Sequence, residues 1–217
     1  MLGKYKIIYA DPPWAYNDRK AIRKDGKTAK RGYGSANLYN IMSVDEICNL
    51  HIDCTIADRY EEGCYMPIER MMADSIHVKH IAGPNSALFL WTTWPHISSA
   101  LRVMEAWGFT YKTCAFDWMK SNGKGNPWFG VGYYAKSNTE PCLLGIRGKM
   151  KPVNNSVSMA VYEPHPRANG KILHSRKPAT VRDRIVQLFG DVPRIELFAR
   201  ERAEGWDSWG NELEVTQ

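Results

Sequence analysis

An aspartate, two prolines and a tryptophan stand together at Asp11-Pro12-Pro13-Trp14, directly after the run Tyr5-Lys6-Ile7-Ile8-Tyr9-Ala10. That run predicts a short buried strand, which makes the four residues a rigid ledge at its C-terminal end. Prolines fix the chain and offer no competing N–H. Asp11 can accept one N–H of a planar amine through its carboxylate, and the Pro12 carbonyl can accept the other. Two acceptors gripping both N–H bonds favour a tetrahedral nitrogen and free a lone pair that is otherwise delocalised into the ring. Trp14 offers that ring a flat surface. The chemistry this suits is methyl transfer to an exocyclic amino group of a base, such as N6 of adenine. For the tetrapeptide alone, an ordinary Pro-rich turn is the competing reading.

The elements that must position the ledge alternate in type. After the first strand come residues 17–36, rich in Lys, Arg and Gly, among them Arg23, Lys24, Lys27 and Lys30. They read as a basic loop beside the ledge, suited to phosphate contact or gating. Ser43 with Glu46 three residues on predicts a capped helix start. A helix is expected around 67–78, a strand over 87–91, a helix over 96–107, strands over 109–120 and 142–146, one short strand within 151–173, a helix over 178–189 and a last strand over 194–198. Strands alternating with helices predict an α/β fold with a mostly parallel, doubly wound sheet, whose ligands sit beyond the C-terminal strand ends.

Composition bounds the partners. The 217 residues suit one domain, and 44% hydrophobic residues suffice for a core. The net charge of +6 suits a polyanion, and eight Trp with eleven Tyr suit a protein that stacks bases, although most aromatics belong in the core. No apolar run is long enough for a transmembrane helix and no signal peptide is read, so a cytoplasmic protein with no membrane partner is expected. Five cysteines, an odd number, predict reduced thiols. Cys48, His51, Cys54 and Cys64, with His77 and His80, lack the paired spacing of most structural zinc sites, so no metal is assigned.

Read with the C-terminal third, the ledge resembles the DPPW family of N6-adenine methyltransferases. Matching segments occur in family order: ADPPW at 10–14, Tyr39 with Met42-Ser43, LFLW at 88–91, EAWGF at 105–109, SNTEPCLLG at 137–145, HSRKP at 174–178, ELFAR at 196–200 and GWDSWGNE at 205–212. The wording resembles most the bacterial and phage branch, which modifies DNA; the family also contains eukaryotic mRNA adenosine methyltransferases. The resemblance implies a Rossmann-like methyltransferase fold over 1–217, permuted so that the catalytic motif precedes the cofactor-binding strand, with S-adenosylmethionine as cofactor. It implies that Asp11, Pro12, Pro13 and Trp14 are catalytic, with Asp11 also near the cofactor, and that Tyr39 and Trp14 line the target base. Lys177 matches the lysine that pairs with the cofactor carboxylate. Glu196, Phe198 and Arg200 match the cofactor pocket on the last strand, Asn211 matches an asparagine near the ribose, and His174 lies near the same pocket. Glu201-Arg202 stand where the eukaryotic enzymes have a His-Asn pair that touches the cofactor, so this chain departs from the family there.

The expected function is adenine N6-methylation of DNA in a bacterial or phage-infected host cytoplasm. Three alternatives stand beside it: RNA as the polymer, cytosine N4 as the acceptor, and a non-catalytic nucleic-acid-binding subunit. A chain this short leaves little room for a separate target-recognition domain, so it is expected either to read short or degenerate sites or to form a homodimer that gains contact area.

Overall fold

A computed structural model describes residues 3–15, 41–53, 75–130, 134–173 and 176–213. The basic loop at 17–36, Tyr39 and His174 lie outside the described residues, as does most of the helix expected at 67–78. Where that helix would end, the chain forms a short strand instead, with His77 capping the next turn.

In chain order the elements are β1 (Tyr5–Ala10), α1 (Val44–Cys48), β2 (His51–Asp53), β3 (Ser75–His77), α2 (Val78–Ile81), β4 (Ala82–Trp91), α3 (Ile97–Ala106), β5 (Thr110–Ser121), β6 (Thr139–Arg147), β7 (Ala160–Pro164), β8 (Arg167–Ala168), β9 (Lys171–Ile172), α4 (Thr180–Phe189), β10 (Arg194–Leu197) and β11 (Asp207–Trp209). Seven strands form one sheet in the order β11-β10-β1-β4-β6-β5-β7. All run parallel except β6, which is antiparallel to both neighbours. This is the mostly parallel, Rossmann-like arrangement expected, and its permutation is visible in β1, which lies between β4 and the late strand β10.

Side-chain alternation builds the two layers. Ile8 and Ala10 of β1, Leu88 and Leu90 of β4, and Ile195 and Leu197 of β10 pack on one face with Ala100, Val103 and Met104 of α3. Ile7, Tyr9, Ala87 and Phe89 point the other way, onto Val181, Ile185 and Phe189 of α4. Because both faces of the sheet are covered, its central strands read as unbroken apolar runs. The Lys6 and Ile7 N–H groups both donate to the Pro193 carbonyl, at 2.8 and 3.2 Å. This irregularity shifts Tyr5 onto the α3 face with Ile8.

The topology brings one set of chain positions to one edge. The C-terminal ends of β1, β4, β5, β7, β10 and β11 lie together with the start of antiparallel β6. Among the described residues, no helix is long and apolar enough to cross a membrane.

Candidate active site

The ledge leaves β1 at Asp11 and is tied down on both sides. The Trp14 N–H donates to the Pro12 carbonyl at 2.9 Å, closing a tight turn over Pro13. The Met42 N–H donates to the Pro13 carbonyl at 2.9 Å. Just beyond, Ser43 caps α1 in a complete capping box: its hydroxyl accepts from the Glu46 N–H at 3.2 Å, and its own N–H donates to Glu46 Oε2 at 2.7 Å. These backbone bonds hold Asp11 and Pro12 in place. The Pro12 carbonyl keeps a second lone pair for another donor.

Trp14 sits differently from the surface expected of it. It is 5% exposed. Its indole N–H donates to the Trp91 carbonyl at 3.1 Å, and its ring stacks against His96 with centroids 5.9 Å apart. Burial makes Trp14 the strut under the ledge, and little of its ring faces outward.

Lys177, just before α4, reaches the Asp11 carboxylate at 2.7 Å and Glu140 Oε2, at the start of β6, at 3.4 Å. Lys120, at the end of β5, pairs with Glu140 Oε1. The ammonium groups also lie over indole rings, Lys177 at 5.5 Å from Trp91 and Lys120 at 5.2 Å from Trp118. Two acids and two lysines thus form a compact, charge-balanced row with little solvent access. Burial pushes the Asp11 carboxyl above the usual aspartate range; the Lys177 ammonium opposes this, and Glu140 adds to it. Burial also acts on Glu140, but the Lys177 and Lys120 cations outweigh it and hold its carboxyl low. The two carboxylates together raise Lys177 against its own burial. Lys177 therefore stays charged, and Asp11 is the acid whose proton is most easily returned.

A second cluster lies along β10. Both Glu196 oxygens bind Arg182 of α4, at 2.7 and 3.1 Å, and Arg182 also reaches Glu201 at 3.3 Å. Glu196 points to the α4 face because its neighbours Ile195 and Leu197 point to the other. Beyond β10, Phe198 adopts φ 60°, an uncommon conformation for a bulky residue, with its ring edge-on to Trp209 at 5.6 Å. The Ala199 N–H donates to the Trp209 carbonyl at 2.9 Å. There β10 and β11 converge so closely that a Cβ on Gly210 would lie 2.2 Å from the Ala199 carbonyl oxygen. Asn211 follows and is exposed. Arg200 is 3.8 Å from Glu212 and near enough to Asp11 to pull its carboxyl down.

Residues 57–212 match the MT-A70 family model. The chain belongs to the MT-A70 family. This is the N6-adenine methyltransferase family whose motifs the sequence resembles. The chain is 32% identical over 218 residues to the Type II methyltransferase M.MunI of Mycoplasma sp, covering 97% of this chain and 78% of that protein. It is 22% identical to the N(6)-adenosine-methyltransferase catalytic subunit METTL3 of Homo sapiens, covering 99% of this chain and 29% of that protein. A probable N(6)-adenosine-methyltransferase MT-A70-like protein of Oryza sativa subsp. japonica is 23% identical, with 24% of its length covered.

The MT-A70 family implies S-adenosylmethionine as methyl donor, and the residues at the strand ends suit its methionine end. That end carries an ammonium and a carboxylate. Asp11 and Lys177, in direct contact, present the opposite charges at one point. The strained turn at Phe198 and the close approach at Gly210 shape the backbone beside them. Glu140, Lys120 and Arg182 were not given site roles from sequence. Their local signal is weak: Glu140 could face a base pocket or simply end a strand, and Lys120 and Arg182 are single basic residues outside the matching segments. Of the expected cofactor set, the Glu196 carboxylate is already engaged by Arg182.

Proposed function

We propose that this chain transfers a methyl group from S-adenosylmethionine to N6 of adenine in DNA. The observation that carries the reading is the 2.7 Å contact between Asp11 and Lys177. It joins the amine-gripping ledge at one end of the chain to the carboxylate-binding lysine at the other. Family membership supplies the reaction type. The 32% match to a Type II methyltransferase over nearly the whole chain supports DNA as the polymer.

Lys177 would hold the donor's carboxylate and Asp11 would face its ammonium. Phe198, Arg200 and Asn211 would line the nucleoside end, with His174 beside them. Bound there, S-adenosylmethionine supplies an electrophilic methyl group on a sulfonium sulfur. Asp11 accepts one N–H of the target amine and the free lone pair of the Pro12 carbonyl accepts the other, which draws the nitrogen lone pair out of the ring. Asp11, raised by burial, is placed to receive the proton the nitrogen loses after transfer. Tyr39 lines the base, and Trp14 supports the ledge from below. An adenine inside a duplex is out of reach, so it must be flipped out or unpaired. Arg23, Lys24, Lys27 and Lys30 contact phosphates, and neutralising them is expected to flatten the salt dependence of DNA affinity.

RNA is the second reading, favoured by the N6-adenosine-methyltransferase relatives. Asp11 disfavours cytosine N4 as acceptor, and the intact Asp11–Lys177 pair disfavours a non-catalytic subunit. Incubation with labelled S-adenosylmethionine and duplex DNA, single-stranded DNA or RNA, followed by digestion, tests all of these. N6-methyladenine in DNA is expected. N4-methylcytosine, label in RNA alone, or donor binding without transfer would each overturn the reading.

A further inference from the structure

The connection between β5 and β6 rises from the edge that carries Asp11 and Lys177. It is a built turn: the Asn122 N–H donates to the Asn126 carbonyl at 2.9 Å, the Trp128 N–H to the Lys120 carbonyl at 2.8 Å and the Gly130 N–H to the Ser137 carbonyl at 2.6 Å. The Tyr162 hydroxyl of β7 donates to the Gly125 carbonyl at 2.8 Å and braces it from the side. Yet its large side chains face water. Trp128 is 37% exposed, Phe129 58% and Tyr134 97%. The described residues from 121 to 138 include Lys124 and Lys136 and no acid, and the Lys136 ammonium lies 5.6 Å from the Phe129 ring. Rings connect this surface to the site. Trp128 meets His165 at 5.8 Å, His165 meets Trp118 at 5.3 Å, and Trp118 meets Trp91, under Lys177, at 6.5 Å.

We propose that Phe129, Tyr134 and the open face of Trp128, with Lys124 and Lys136, form a stacking platform for unpaired DNA nucleotides flanking the target adenine. The inference rests on the proposed function and names how the substrate is held. These three rings keep large exposed faces among cations on a braced turn. Stacking on such rings is available to unpaired bases, whose faces are free, and closed to bases inside a duplex. The absence of acids along the turn matches a polyanion, and the ring series sets the platform next to the ledge.

The test measures binding of labelled single-stranded DNA, the matching duplex and the matching RNA by fluorescence anisotropy, at several salt concentrations with saturating S-adenosylmethionine. Phe129→Ala and Tyr134→Ala are each expected to weaken single-stranded DNA binding roughly tenfold, and Phe129→Trp to retain it. The double variant Lys124→Gln/Lys136→Gln is expected to lower the salt slope by about 1.4, at ~0.7 per phosphate contact. Donor affinity, measured by calorimetry, stays at the wild-type value and reports an intact fold. Unchanged single-strand affinity overturns the proposal, including the case where the variants instead change the sedimenting mass and so mark a contact with a second copy. An equal loss for duplex, or a loss confined to RNA, also overturns it. A wild-type protein that methylates no polymer, yet loses single-strand affinity in these variants, would sink the proposed function and leave the platform standing.

Discussion

In the proposed mechanism Asp11 must be ionised to grip the amine, yet burial and Glu140 favour its neutral form. A carboxyl whose pKa is higher folded than unfolded binds more protons in the folded state, so stability falls as pH rises through that interval. Asp11→Asn is therefore expected to keep or raise Tm at pH 8 while lowering kcat about 100-fold or more, the scale of losing one positioned polar group. Thermal melts and single-turnover rates check the pair of outcomes. The acid limb of the rate profile is expected above the ordinary aspartate range, because activity is lost as pH falls through the raised pKa. Glu140→Gln removes one of the charges that raise Asp11, so the limb is expected to move to lower pH; a limb that stays put or moves up would separate Glu140 from the amine grip. The sequence made Asp11 and Lys177 legible because their motifs are distinctive. Glu140 was ambiguous because its partners arrive from elsewhere in the chain, Lys120 from β5 and Lys177 from the segment before α4. The burial of Trp14 was not legible because it is set by Trp91 and His96, 77 and 82 positions away by the numbering.

At the scale of elements, β10 and α4 are joined by a charge pair whose removal has a clear sign. Arg182 and Glu196 have side chains 15% and 10% exposed. Arg182→Ala would leave Glu196 buried beside a hydrophobic face, and is expected to cost about 3–5 kcal/mol, read by denaturant unfolding. Arg182→Ala combined with Glu196→Gln should recover part of that loss, since no uncompensated charge remains. Gly210→Ala would press a methyl group against the Ala199 carbonyl and is expected to cost about 1–3 kcal/mol, with weaker donor binding as the turn beyond β10 shifts. The strand and helix periods were readable because the central strands are buried on both faces and the helices carry one apolar stripe. Element ends were less so. The sheet extends β4 back to Ala82 and β6 out to Thr139, since pairing with neighbours continues past the apolar run. The hairpin of β8 and β9 carries no period at all.

Over the whole molecule, the proposed donor site draws Asp11 and Lys177 from distant parts of the chain, so donor binding there is expected to stabilise the folded state. At a donor concentration 100 times its Kd, about 2.7 kcal/mol of stabilisation is expected. For a chain of this size that corresponds to a Tm rise of roughly 5–10 °C, read by calorimetry. Lys177→Met is expected to abolish the rise, while a full rise in that variant would remove the lysine from the donor site. The fold class was legible because alternating strands and helices allow few sheet arrangements. The position of antiparallel β6 between β4 and β5 was not, because strand order depends on which faces must be covered and leaves little local trace.

The placement of β1 between β4 and β10 has a consequence for how the protein is made. β1 ends at Ala10 and β10 begins at Arg194. At a ribosomal pace of about 5–20 residues per second, the partner strand emerges roughly 10–40 s after the ledge does. Through that interval one side of β1 has no strand to bond, and for most of it Lys177 has not yet been made. On the proposed roles of Asp11 and Lys177, a chain that stops before β10 is therefore expected not to transfer methyl groups, and competence arrives only once β10 is made.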